Sequence, residues 1–210
     1  MLAPADITQI DDGLWRWTAG HPEWRAGARP GSTGDWAREV GSVALAAPGA
    51  LVLIDALIPA GGEALWRWLD ERRDEAGSEV LALTTLKWHR RSRDDLVARY
   101  GASTSRAAGA LPDGIEAIPL AGIGETMFWL PGQRALVAGD RLLGGDRAGE
   151  LRVCPRSWLS YLGGDVTRAD AAEALRPLLD LPVERVLASH GPPTLTGGRE
   201  AIQRAIDEAM

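Results

Sequence analysis

The chain contains three histidines, and two of them, His89 and His190, follow apolar runs that read as buried strands. His89 closes Thr84-Thr85-Leu86-Lys87-Trp88-His89, and Arg90, Arg91, Ser92 and Arg93 come next. His190 sits in Ser189-His190-Gly191 behind Arg185–Ala188, and Asp140 ends the pair Gly139-Asp140 behind Ala135–Ala138. Folds that alternate strands and helices keep their chemistry in loops at the C-terminal ends of strands. Two imidazoles and a carboxylate can hold one divalent ion. Without an ion, the same groups can serve as general base, acid and orienting partner. The basic residues suggest different chemistry, because Lys87 and Arg91 can grip a carboxylate or phosphate, the guanidinium bidentately.

Other candidates surround this trio. Cys154 would be a nucleophile if nearby arginines lowered its pKa, although lone cysteines are ordinarily inert packing residues. Ser92 and Ser157 are hydroxyls, but neither lies in a Gly-x-Ser-x-Gly turn. Glu125 and Asp55 are placed to orient pocket groups, and Asp55 also reads as the cap of the turn after its strand. Trp88 and Trp158, each beside polar residues, are candidate pocket walls. The pairs Trp15/Trp17 and Trp66/Trp68 read as packing. His21 lies in a loop over 19–36 rich in Gly, Pro and Arg, where it packs the loop or closes over a pocket.

The elements that must position these residues follow from periodicity. Strands are expected at 7–10 and 14–18 around Asp11-Asp12-Gly13, and at 41–47 and 51–54 around Pro48-Gly49. A helix over 62–75 leads to a strand at 80–84, then to the basic loop and a helix ending at Tyr100. Short extended elements at 103–105, 115–118, 126–130 and 135–138 precede a helix over 168–179, the strand 185–188 and a last helix from about 198. The order is β-rich half, strand-helix, β-rich half, strand-helix. It predicts one domain over 1–210, with 1–40 part of it, built as two sheets flanked by helices.

Bulk properties narrow the function. The 210 residues, 45% apolar, can bury a sizeable core. A net charge of -6 argues against general nucleic-acid binding. One cysteine excludes an internal disulfide and four-thiolate zinc sites. No apolar run approaches the roughly 18 residues of a membrane span, and no basic-then-apolar leader opens the chain. The expectation is a cytoplasmic protein with a small-molecule ligand and no membrane or nucleic-acid partner.

From about Gly41 to the C-terminus, "LVLIDALIP", the loop after Leu83, "ALVAGDRLLG" and "VLASHGPP" occur in the order found in the metallo-β-lactamase superfamily, which the chain resembles. The resemblance implies an αββα sandwich of the α/β (α+β) class, and a family made mostly of zinc-dependent hydrolases. Its metal sites depend on His-x-His-x-Asp-His after a strand, a further His in Gly-His-Thr, an Asp after Gly and a last His. Here that pattern is degenerate. With His89 at the second His position, Lys87 takes the first, Arg91 the Asp and Ser92 the last. In a second register His89 stands first, and Arg91, Arg93 and Asp94 follow. Leu120-Ala121-Gly122-Ile123-Gly124-Glu125 carries no histidine where Gly-His-Thr is usual, whereas Asp140 and His190 match.

A dinuclear zinc centre is therefore not expected, and a cation at a ligand position would repel a divalent ion. The resemblance leaves three readings open. The first is a cofactor-free cleft that binds a small anionic or polar ligand. There Arg91, helped by Lys87, pairs with Asp140, and Trp88, Trp158, Ser92, Glu125 and Cys154 lie around the ligand. In that reading His89 or His190 can act as general base of a metal-independent hydrolase. The second is a mononuclear metallohydrolase with one divalent ion such as zinc on His89, Asp140 and His190. The third is a non-catalytic binding protein on the same scaffold.

Overall fold

The computed structural model describes residues 7–104, 111–162 and 165–210. Strands β1 (Thr8–Asp11), β2 (Leu14–Gly20), β3 (Glu39–Ala47), β4 (Ala50–Ile54) and β5 (Glu79–Leu83) form one sheet in sequence order. It is antiparallel up to β4 and parallel between β4 and β5. A parallel pair needs a crossover, which helix α1 (Glu63–Ala76) supplies. Helix α2 (Arg93–Tyr100) follows β5. Next come β6 (Glu116–Leu120), β7 (Glu125–Leu130), β8 (Ala135–Ala138) and a short hairpin of β9 (Leu142–Gly144) and β10 (Leu151–Val153). Helix α3 (Arg168–Leu175), β11 (Arg185–Ala188) and α4 (Gly198–Asp207) complete the chain, and β11-β8-β7-β6 form the second sheet.

Alternation along the strands produces the layers. Successive side chains of a strand point to opposite faces. Val52 and Ile54 join Phe128, Leu130, Ala135 and Val137 in the core between the sheets. Their neighbours Leu51 and Leu53 pack outward with Leu65, Leu69 and Leu96 of α1 and α2. On the far side Met127, Trp129, Leu136 and Ala138 meet Ala171, Leu175, Ile202 and Ile206 of α3 and α4. The order is helices, sheet, sheet, helices: an αββα sandwich. Strands covered on both faces must be apolar throughout, and β4 and β8 are buried along their whole length.

The C-terminal ends of four strands meet at one edge. Asp55 N donates to Leu83 O at 3.0 Å, and Ser189 N to Ala138 O at 2.9 Å. Between the sheets, Thr126 N donates to Thr85 O at 2.9 Å and Gly41 N to Ser189 O at 2.7 Å. Asp55, the loop after β5, Gly139-Asp140 and Ser189-His190 are thereby neighbours. Gly139 is required by close approach, since a Cβ there would lie 2.4 Å from Thr85 Oγ1.

Some elements differ from expectation. Helix α3 ends at Leu175 and continues as a 3₁₀ segment, Arg176–Asp180, because Pro177 has no N–H to extend an α-helix. The β9–β10 hairpin was not expected, as strands of three residues carry too little alternation to be read. The element expected at 103–105 is a single bridge at Ser103, and Ser105 lies outside the described residues. Among the described residues no helix is long and apolar enough to cross a membrane.

Candidate functional site

The loop after β5 folds back over the edge of the first sheet. Leu86 is buried beneath it, His89 N donates to Leu86 O at 3.1 Å, and Ser92 N donates to Ala56 O at 3.1 Å. Ser92 Oγ accepts from Ile58 N at 2.9 Å, so this buried hydroxyl ties the loop to the segment after β4. Arg91 adopts φ 41°, a left-handed conformation unusual for a side chain of its size. That turn carries its guanidinium inward. Nη1 donates to Gly41 O at 2.6 Å and to Asp55 O, and Nη2 donates to Ser189 Oγ at 2.7 Å.

At the centre, acids and imidazoles alternate. Asp55 Oδ2 lies 2.8 Å from His89 Nδ1, and Asp55 also accepts from Thr85 N at 2.9 Å and from the Thr85 hydroxyl. His89 Nε2 and His190 Nε2 lie 3.0 and 3.3 Å from Asp140 Oδ1. Although both nitrogens are close, that oxygen receives no well-aligned hydrogen bond from either. Its partner Oδ2 accepts from Trp88 Nε1 at 3.0 Å. His190 Nδ1 is buried without a partner among the described residues.

The charges follow from burial and neighbours. Burial alone would depress the pKa of His89, but Asp55 and Asp140 outweigh it and raise the imidazole to about 9. Burial would raise both carboxylates, yet His89 in particular holds Asp55 below its usual range, and Asp140 well below. His190 is lowered by burial, with only partial opposition from Asp140. In the absence of an ion the cluster is thus an imidazolium between two carboxylates.

Behind it, Glu125 is buried and accepts from Gly139 N at 2.9 Å, Asp140 N at 2.8 Å and Arg141 N at 2.9 Å. Burial and the Asp140 charge push its pKa up to about 7. Glu125 therefore braces the turn that carries Asp140, from behind the cleft. Cys154 is fully buried, and burial raises its pKa to about 11 despite Arg141 3.9 Å away. A buried thiol that resists ionisation at neutral pH lacks the lowered pKa on which the nucleophile reading depended.

The cleft above the cluster has a volume of about 250 Å³, with His89, Arg91, Asp140 and His190 at its base and Trp36, Trp88, Trp158 and Tyr161 among its walls. His21 also lines it, packed edge-on against Trp36 with ring centroids 5.0 Å apart. Trp158 Nε1 donates to Ser32 O at 3.2 Å and ties the long N-terminal loop to this wall. Two expectations need correction. Arg91 does not pair with Asp140, because carbonyl oxygens and Ser189 hold both of its terminal nitrogens while Trp88 and the imidazoles surround the carboxylate. Lys87 is exposed, outside the cleft, with Nζ 5.9 Å from the Trp88 ring centre. Ser157, Ser92, Glu125 and Cys154 also do not line the cleft. Trp36, Tyr161 and Thr85 were missed, since an aromatic or hydroxyl residue in a loop carries no signal of its partner.

The donors present fit one metal ion. His89, Asp140 and His190 each offer a ligand atom, all within 4.8 Å of one another. Asp140 Oδ1 is buried without a well-directed donor, which suits an oxygen able to take a cation. Asp55 behind His89 Nδ1 is the carboxylate that orients a ligating imidazole. For a second ion the described residues supply no further cluster of His, Cys, Asp or Glu.

No family model and no curated protein matches the chain. Solved structures do. The NDM_FIM-1-like metallo-β-lactamase from Erythrobacter litoralis, in its mono-zinc form, aligns over 100% of this chain and 98% of its own at 16% identity, with a TM-score of 0.64. DIM-1 metallo-β-lactamase exposed to ceftazidime aligns over 97% of both chains at 15% identity and 0.61. VMB-1 at pH 5.5 aligns over 97% of both at 13% identity and 0.60. The protein has the metallo-β-lactamase fold.

Two outcomes follow from the charges. Arg91→Ala should cost about 1.5–3 kcal/mol, the scale of hydrogen bonds made by a charged group, and Lys87→Ala less than about 0.5 kcal/mol. Urea unfolding measures both, and equal small effects would contradict the placement of Arg91. The raised pKa of His89 gives stability that is full below the unfolded value of about 6.5 and lost as pH rises through about 9. In chelator, the stability advantage of wild type over His89→Gln should therefore shrink across that window. A constant advantage would mean that His89 is not held as an imidazolium.

Proposed function

We propose that this protein is a divergent member of the metallo-β-lactamase superfamily whose cleft holds one divalent ion on His89, Asp140 and His190 and serves a hydrolytic reaction on a small polar substrate. The observation that carries this reading is the convergence of three ligand atoms within 4.8 Å, with Asp55 set behind His89. A bound ion there would supply Lewis acidity to a carbonyl or phosphoryl oxygen and make a water more acidic. The chain's own residues prepare the place. His89 Nδ1–H donates to Asp55, which turns Nε2 toward the cleft. Loading requires the proton on Nε2 to leave, so affinity should rise with pH toward about 9. Arg91 keeps a fixed positive charge beside the site, and the indole walls restrict water.

A second reading draws support from the same His89. An imidazolium between Asp55 and Asp140 balances their charge without an ion, as a metal-independent cleft would require. An anionic ligand is then supported by Arg91 Nε, which is buried with no acceptor among the described residues. Metal analysis separates the two. Protein purified without chelator or metal-affinity resin, then equilibrated with zinc, manganese or iron, should retain close to one ion per chain, and His190→Ala should retain little. Metal-free wild type under all three conditions would leave the second reading in place of the first.

A further inference from the structure

Asp140 enters the cleft with only one of its two oxygens available. The indole N–H of Trp88 occupies Oδ2 at 3.0 Å, so Oδ1 alone faces His89 and His190. This indole is an unusual partner for a buried carboxylate, because Trp88 is 39% exposed. It is nevertheless held on two sides. Tyr161 meets it edge-on, with ring centroids 4.4 Å apart at 84°, and Lys87 Nζ lies over its ring at 5.9 Å. The backbone of Asp140 is fixed as well, by the three N–H groups that Glu125 accepts. With its main chain clamped and one oxygen capped, the carboxylate has little freedom to turn both oxygens toward an ion.

We propose that Trp88 is a positioning residue that presets Asp140 as a one-oxygen ligand and so tunes which ion the site takes. This rests on the single-ion reading above. Zinc is satisfied by few ligands and favours imidazole nitrogen, whereas manganese and magnesium favour oxygen-rich, six-coordinate surroundings. A carboxylate restricted to one oxygen beside two imidazoles favours the former. Trp88→Phe keeps an aromatic ring beside Tyr161 and removes the N–H together with part of the ring's volume, freeing Oδ2 for bidentate binding.

The test is competition against a chromophoric chelator on metal-free full-length wild type and Trp88→Phe, with zinc and manganese titrated separately. Near-ultraviolet circular dichroism and the thermal midpoint confirm that the variant folds. Tyr161→Leu provides a second variant, which loosens the indole without removing its N–H. The expected result is a fall of about 10–100-fold in zinc affinity for Trp88→Phe, with manganese affinity less affected, so that the preference for zinc narrows. Tyr161→Leu should move in the same direction by less. Unchanged affinities in Trp88→Phe would overturn the inference, and so would equal losses for both ions, the sign of a merely structural role. Wild type that binds neither ion would overturn the single-ion reading and this inference together. Zinc binding by wild type with an unaltered ion preference in Trp88→Phe would overturn this inference alone.

Discussion

Burying a carboxylate among apolar side chains is costly unless something meets its charge, and among the described residues three are buried at one edge of the sheets: Asp55, Glu125 and Asp140. Each is met differently. Glu125 takes three backbone N–H groups, Asp55 takes Thr85 and an imidazole, and Asp140 takes an indole N–H and lies between two imidazoles. The first two leave no carboxylate oxygen without a donor from the chain. The third leaves Oδ1 close to two nitrogens but without a directed donor, and a cation is what that oxygen can still accept.

The surrounding fold serves this arrangement. The parallel pairs β4–β5 and β8–β11 bring four strand ends to one edge. Gly139 then lets the turn before Asp140 pass against Thr85, and Glu125 clamps that turn from below. Arg91, in its left-handed conformation, stitches Gly41, the Asp55 peptide and Ser189 together. The basic loop after β5 is thus partly a structural cross-link between the two sheets. Both terminal nitrogens of Arg91 are held by oxygens of the chain and Lys87 is exposed, which is why an anion site built on the two finds less support than the sequence suggested.

Much of this was legible in the residues. Apolar runs ending in Asp55, Asp140 and His190 located the strand ends, and the order of those runs pointed to the sandwich, because strands covered on both faces have to be apolar throughout. The register of the β5 loop was not legible. Which of Lys87, Trp88, His89 and Arg91 turns inward depends on a positive φ at Arg91 and on a buried Leu86, and neither leaves a pattern in the sequence. Asp55 read as a turn cap, since its partners Thr85 and His89 lie 30 and 34 residues away. The buried guanidinium of Arg141, bonded to Ile123 O and lying over Tyr161, was also invisible, as arginine is ordinarily read as surface.

The central claim is that the cleft has a place for one ion on His89, Asp140 and His190, and crystallography at the zinc absorption edge tests it most directly. Crystals equilibrated with zinc at about pH 8, where the His89 proton is more easily displaced, should give one anomalous peak among His89 Nε2, Asp140 Oδ1 and His190 Nε2. No peak there, or a pair of peaks marking a two-ion centre, would contradict the account.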